Sequence, residues 1–147
     1  MVMNIREKTA VFIGHNDITG FDTKRLEQTV IDLVQKGVTS FVSGGMGGFD
    51  RISAKTVHDI KKYYPQIKNH LIIPYLNFEI FDSSLFDEII FPEKLEGVPY
   101  KAAIPKRNRY MIELSGTAVC FVRYKTGGAA KSFYLAEKQG LNLINLI

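Results

Sequence analysis

Ser43-Gly44-Gly45-Met46-Gly47-Gly48-Phe49-Asp50 holds four of the chain's twelve glycines and joins two segments of different periodicity. Ahead of it, residues 38–42 are β-branched and aromatic, the composition of a strand buried in a parallel sheet. Behind it, Ser53, Val57, Ile60 and Tyr64 recur at the spacing of one helix face and predict a helix over residues 50–64. The local unit is therefore strand, glycine loop, helix. Glycines at such a turn let the backbone approach a ligand, and the free N–H groups of the helix start favour an anion, with phosphate the leading candidate. The loop lacks the Lys-Ser or Lys-Thr of a P-loop and the G-x-G-x-x-G spacing of a dinucleotide loop. A turn needed only for tight packing stays open as the alternative.

Outward from this loop the pattern repeats. Residues 9–14 read as a first strand ending in Gly14-His15-Asn16, and Asp22 caps a helix that runs to Lys36 with Leu26, Val30, Leu33 and Val34 as its apolar stripe. Residues 70–73 form a third strand before Pro74. Three strands joined by two helices make half of a doubly wound sheet. Residues 88–91 read as a fourth strand, and 75–104 are the least regular stretch and a candidate lid. Pro105 suits the first turn of a helix to about Ser115, and residues 117–122 form a strongly apolar fifth strand. Gly127-Gly128 opens a helix to about Gln139, and residues 143–147 end the chain as a strand. The expected fold is a doubly wound, mainly parallel sheet of five to six strands with helices on both faces.

The 147 residues suit one domain, taken as 1–147, and 46% hydrophobic with 23% charged residues is the composition of a soluble protein. The first apolar run, 10–13, is too short for a signal peptide or a membrane span, so a cytoplasmic protein without a membrane partner is expected. Cys120 lies in an apolar strand and reads as an inert buried thiol. No His/Cys pattern has metal-ligand spacing, so neither a metal nor another cofactor is expected. Charge is unevenly spread: between Lys101 and Lys131 stand seven basic residues and one acid, Glu113, while the remainder of the chain is slightly acidic. A basic surface on a near-neutral body points to a phosphate-bearing partner, a nucleotide ahead of a nucleic acid.

In an open parallel sheet ligands bind beyond the carboxyl ends of the strands, where four stretches should converge. These are Gly14-His15-Asn16, the loop containing Ser43, Gly44, Gly45, Gly47, Gly48 and Asp50, the run Pro105 to Arg109, and Thr126-Gly127-Gly128. Arg107 and Arg109 suit phosphate as charged forks, and Asn108 can donate and accept toward a base or ribose. A homo-oligomer is neither implied nor excluded.

With these motifs in this order, the chain resembles the SLOG superfamily and, within it, the YpsA-like branch. The resemblance rests on Phe12-Ile13-Gly14-His15, Ser43 to Asp50, Ile72-Ile73-Pro74-Tyr75, Lys106-Arg107-Asn108-Arg109-Tyr110-Met111 and Thr126-Gly127-Gly128. It implies a modified Rossmann fold with a nucleotide-like ligand at these loops. The family often has arginine after the Gly-His pair, where this chain has Asn16. Two related groups supply rival functions. LOG phosphoribohydrolases cleave N-glycosidic bonds of nucleoside phosphates, and Tyr134 stands here where their signature has a catalytic glutamate. DprA proteins bind single-stranded DNA and resemble Pro105 to Arg109 with Leu114-Ser115, although this chain has no tryptophan for base stacking.

Overall fold

The computed structural model describes residues 3–147. Ten main elements follow the chain: β1 (Thr9–Gly14), α1 (Thr23–Gln35), β2 (Ser40–Ser43), α2 (Gly47–Ile60), β3 (Lys68–Ile72), β4 (Glu88–Ile90), α3 (Tyr100–Leu114), β5 (Thr117–Phe121), α4 (Gly128–Lys138) and β6 (Asn142–Asn145). The six strands form one sheet in the order β4-β3-β2-β1-β5-β6, and every pairing is parallel. This is a Rossmann-like α/β fold. The chain winds from β1 toward β4, then crosses back to lay β5 on the other side of β1.

Alternation along β1 shows how the two layers are built. Ala10 and Phe12 enter an aromatic core with Phe41, Phe49 and Phe121 beneath α1 and α2. Val11 and Ile13 face Met111, Ile112 and Ala130 beneath α3 and α4. A strand apolar on both faces can only be central, which is why β1 and β5 read as continuous hydrophobic runs. Burying a Phe or Leu here stabilises the fold by roughly 1.5–3 kcal/mol per side chain.

Two helix starts differ from expectation. Helix α2 begins at Gly47 rather than Asp50, with the poor helix formers Gly47 and Gly48 in its first turn. Tertiary partners make this start stable: Gly48 N donates to Asn16 O at 3.0 Å and Phe49 N to His15 O at 3.1 Å. Helix α3 begins at Tyr100, so Pro105 lies inside it and not at its first turn. Pro99 stands at the N-cap instead, and Ala102 N donates to Pro99 O at 2.9 Å. One backbone hydrogen bond is forgone at Pro105, and burial of Ala103, Arg107, Met111 and Ile112 on the inner face offsets it. The stretch expected as a lid contributes β4, two short 3-10 turns and the first part of α3. Among the described residues, no helix is long and apolar enough to cross a membrane.

Candidate functional site

Where the chain leaves β1 toward one side of the sheet and β5 toward the other, the carboxyl edge opens into a cleft of about 180 Å³. Its walls come from four elements: Ile13 and Gly14 at the end of β1, Met46 and Asp50 at the start of α2, Arg107 and Asn108 on α3, and Gly128 and Ser132 on α4.

Arg107 is the largest fully buried side chain, 2% exposed. Its Nη1 donates to Gly44 O and to Ile72 O, each at 2.9 Å, and its Nε donates to Asn108 Oδ1 at 2.9 Å. Nη2 lies 3.2 Å from Met46 Sδ. These bonds pin the glycine loop to the end of β3 and fix the amide of Asn108. Burial lowers the Arg107 pKa to about 10, with Asp50 and the Tyr75 hydroxyl opposing the shift, so the guanidinium stays positive near neutrality.

Asp50 lies one turn into α2 and reaches back over it, so that Oδ2 accepts the Met46 N–H at 2.9 Å. Burial raises its pKa to about 6, although the Met46 hydrogen bond and the positive Arg107 pull the other way. A carboxyl in this state can exchange a proton or bind a hydroxyl at ordinary pH.

The two glycine-rich helix starts are chemically different. At α2 the first donors are taken by Asn16 and His15, and Asn16 Oδ1 accepts from Gly48 N as well, at 3.1 Å. The glycines pack against protein: a Cβ at Gly44 would meet the Arg107 guanidinium, and one at Gly47 or Gly48 would meet Asn16. At Gly45, where φ is +66°, a Cβ would fall 2.7 Å from Leu71 Cδ1. A side chain at Gly45 therefore strikes the core, as in the packing turn that the sequence left open as the alternative. At α4 the situation is reversed. Gly127 is the N-cap with φ of 98° and offers no side-chain cap, and a Cβ at Gly127 or Gly128 meets nothing within 4 Å. Among the described residues, the N–H groups of Gly128, Ala129 and Ala130 have no partner.

The YpsA family model, described as the YspA SLOG family, matches residues 10–82. The chain is similar to this SLOG family over those residues, just under half of its length. A UPF0398 protein of Oenococcus oeni is 26% identical over 118 residues, covering 74% of this chain and 63% of that protein. A UPF0398 protein of Halalkalibacterium halodurans is 25% identical over 140 residues, covering 86% of this chain and 72% of its own length. The chain thus spans a little under two thirds of the Oenococcus relative. Among solved structures, DNA processing protein A of Helicobacter pylori, described for its single-stranded DNA binding, aligns with a TM-score of 0.66 and 19% identity. That alignment covers 94% of this chain and 64% of the other, and it shows a shared fold.

Of the residues singled out in the sequence, Gly14, Asp50, Arg107, Asn108 and Gly128 line the cleft. His15 does not: its Nε2 accepts the Arg123 N–H at 2.9 Å and its ring packs on Tyr124, tying the loop after β1 to the loop after β5. Burial and the nearby Arg123 lower the His15 pKa, against a smaller opposing effect of Asp17. Ser43 is buried with its Oγ unpartnered, Thr126 is exposed in the loop before Gly127, and Gly44, Gly45, Gly47 and Gly48 serve the packing just described. Arg109 lies on the opposite side of α3 with Lys94, Lys106 and Glu113. Two positions on from the inward-facing Arg107, Arg109 points away from the cleft, and the start of α3 at Tyr100 leaves it far from the helix N-terminus. The basic segment is divided accordingly, with Arg107 buried, Arg123 donating to Thr19 O, and Arg109 facing outward. Tyr134, in the LOG glutamate's place, is 46% exposed and is not among the residues lining the cleft. Met46 and Ser132 are cleft residues that the sequence did not single out. Ser132 could have been found, because it lies one helical turn after Gly128.

Proposed function

We propose that this chain binds a nucleotide or nucleotide derivative at the carboxyl-edge cleft, with a phosphate at the start of α4 and the sugar toward Asp50 and Asn108. The observation that carries this reading is the open N-terminus of α4 facing a buried carboxyl and a buried guanidinium across one small cleft. Three unpartnered N–H groups at the positive end of a helix suit a phosphate, and Lys125 and Lys131 stand close to them in sequence. A carboxylate and an amide suit ribose hydroxyls. At about 180 Å³ the cleft matches a phosphosugar better than a whole nucleotide. Calorimetric titration of the wild type and of Gly128→Val with nucleoside monophosphates tests this. Binding by the wild type that is lost in the folded variant is expected, and equal binding by both removes the phosphate from α4.

One observation favours a second reading, cleavage of the N-glycosidic bond: Asp50 is a buried carboxyl in the cleft with its pKa raised to about 6, suited to general acid work. Binding without release of free base is the outcome expected of a sensor. Release faster than about 0.1 per second would place the chain among enzymes. Single-stranded DNA, the ligand described for the Helicobacter protein, is separated by salt, since binding along several phosphates weakens steeply as salt rises.

A further inference from the structure

We propose that the pocket on the far side of Met46 from the cleft is a nucleobase site whose hydrogen-bonding groups match guanine, an inference that rests on the nucleotide reading of the cleft. This pocket has a volume of about 460 Å³, and Met46 lines both it and the cleft. The wall between the two cavities is therefore a thioether side chain, 42% exposed, together with the Arg107 guanidinium that touches its sulfur. Arg107 also lies 5.9 Å from the centroid of the Phe78 ring, which belongs to the second pocket. Arg107 is fixed by its bonds to Gly44 and Ile72, whereas the unbranched Met46 side chain has several rotamers of similar energy. In the proposed complex Met46 rotates aside while Arg107 stays in place, and a ligand with its phosphosugar in the cleft directs its base past Arg107 into the larger cavity.

The lining fits a planar, nitrogen-rich ring. Phe78 and Phe81 bring aromatic rings to the lining, and the Arg51 guanidinium carbon lies 5.2 Å from the Phe81 ring centroid. A base inserted here meets the aromatic and guanidinium planes that serve base stacking elsewhere. Two polar side chains complete the pocket, Arg51 and Glu79. Among the described residues, neither makes a hydrogen bond or an ion pair, with each other or with any other group. Arginine offers only donors, and an ionised glutamate only acceptors. Guanine presents two adjacent acceptors, O6 and N7, to one such fork and two adjacent donors, N1–H and the N2 amino group, to the other. Adenine presents one donor group and isolated acceptors, and it satisfies each fork only once.

The test is calorimetric titration of the wild type, Glu79→Ala and Arg51→Met with GMP, AMP and ribose 5-phosphate. Both substituted residues are exposed, so the fold is retained, which circular dichroism checks. The wild type is expected to bind GMP at least tenfold more tightly than AMP or ribose 5-phosphate. Each variant should lose that preference while keeping its affinity for ribose 5-phosphate. Equal wild-type affinity for all three compounds, a preference for AMP, or unchanged GMP affinity in both variants overturns the base site and leaves the cleft reading standing. Failure of all three compounds to bind the wild type overturns both.

Discussion

Arg107 and Gly44 are in direct contact: Nη1 donates to the Gly44 carbonyl at 2.9 Å, and a Cβ at Gly44 would lie 2.7 Å from the guanidinium carbon. The glycine is there because a buried arginine occupies the space of its side chain. Removing the arginine orphans two carbonyls, those of Gly44 and Ile72. Arg107→Ala should therefore lower stability by about 1–3 kcal/mol per unsatisfied acceptor, beyond the effect of the void it leaves. Urea unfolding measures this, and a midpoint equal to the wild type would mean that water replaces the guanidinium without cost.

Valine at the two glycine loops should have opposite effects. Gly45→Val places a side chain at positive φ against Leu71, which should cost more than about 1 kcal/mol from backbone strain alone and depress the melting temperature. Gly128→Val enters open space with no such backbone demand and should melt near the wild type while losing nucleotide binding. Thermal melting of the two variants side by side decides between these roles, and a stable Gly45→Val would return that loop to the list of ligand contacts.

Asp50 sets a pH dependence of stability. Its folded pKa, about 6, is raised above the ordinary 3.8, so the folded state holds the proton more tightly than the unfolded state. Its contribution is most favourable below pH 4 and is lost as pH rises through the interval from 3.8 to about 6. Asn keeps an acceptor for the Met46 N–H and carries no charge. Asp50→Asn should thus stabilise the protein at pH 8 by about 2–3 kcal/mol, at about 1.4 kcal/mol per pKa unit, and have little effect at pH 4. Melting curves at the two values check the sign, and a larger gain at pH 4 would contradict it.

Arg109 provides the converse test. It is exposed on the outer side of α3, beside Lys106 and Glu113, and belongs to no wall of the cleft. Arg109→Ala should leave nucleotide affinity unchanged and alter stability by less than about 0.5 kcal/mol, as for an ordinary surface residue. A tenfold loss of affinity would show that the ligand extends around α3.

Local pattern in the sequence determined the elements of the sheet. Strands β1 and β5 are apolar on both faces after their first threonines because both faces are covered, and the stripe Leu26, Val30, Leu33, Val34 marks the single buried face of α1. Both patterns are imposed by one-dimensional periodicity, so they can be read without knowing any neighbour. Asp22 worked in the same way, as a cap that acts within one turn. The tertiary structure decided which glycines were for packing and which were open. Gly45 and Gly128 look alike in sequence, and they differ because Leu71 lies beside one while nothing lies beside the other. It also decided where α2 and α3 begin. Donors from the start of α2 find acceptors on His15 and Asn16, some thirty residues earlier in the chain, and α3 runs through Pro105 because burial of its inner face outweighs one missing hydrogen bond. The division of labour between Arg107 and Arg109 followed from which face of α3 is buried, since two positions along a helix turn a side chain from the core to the surface.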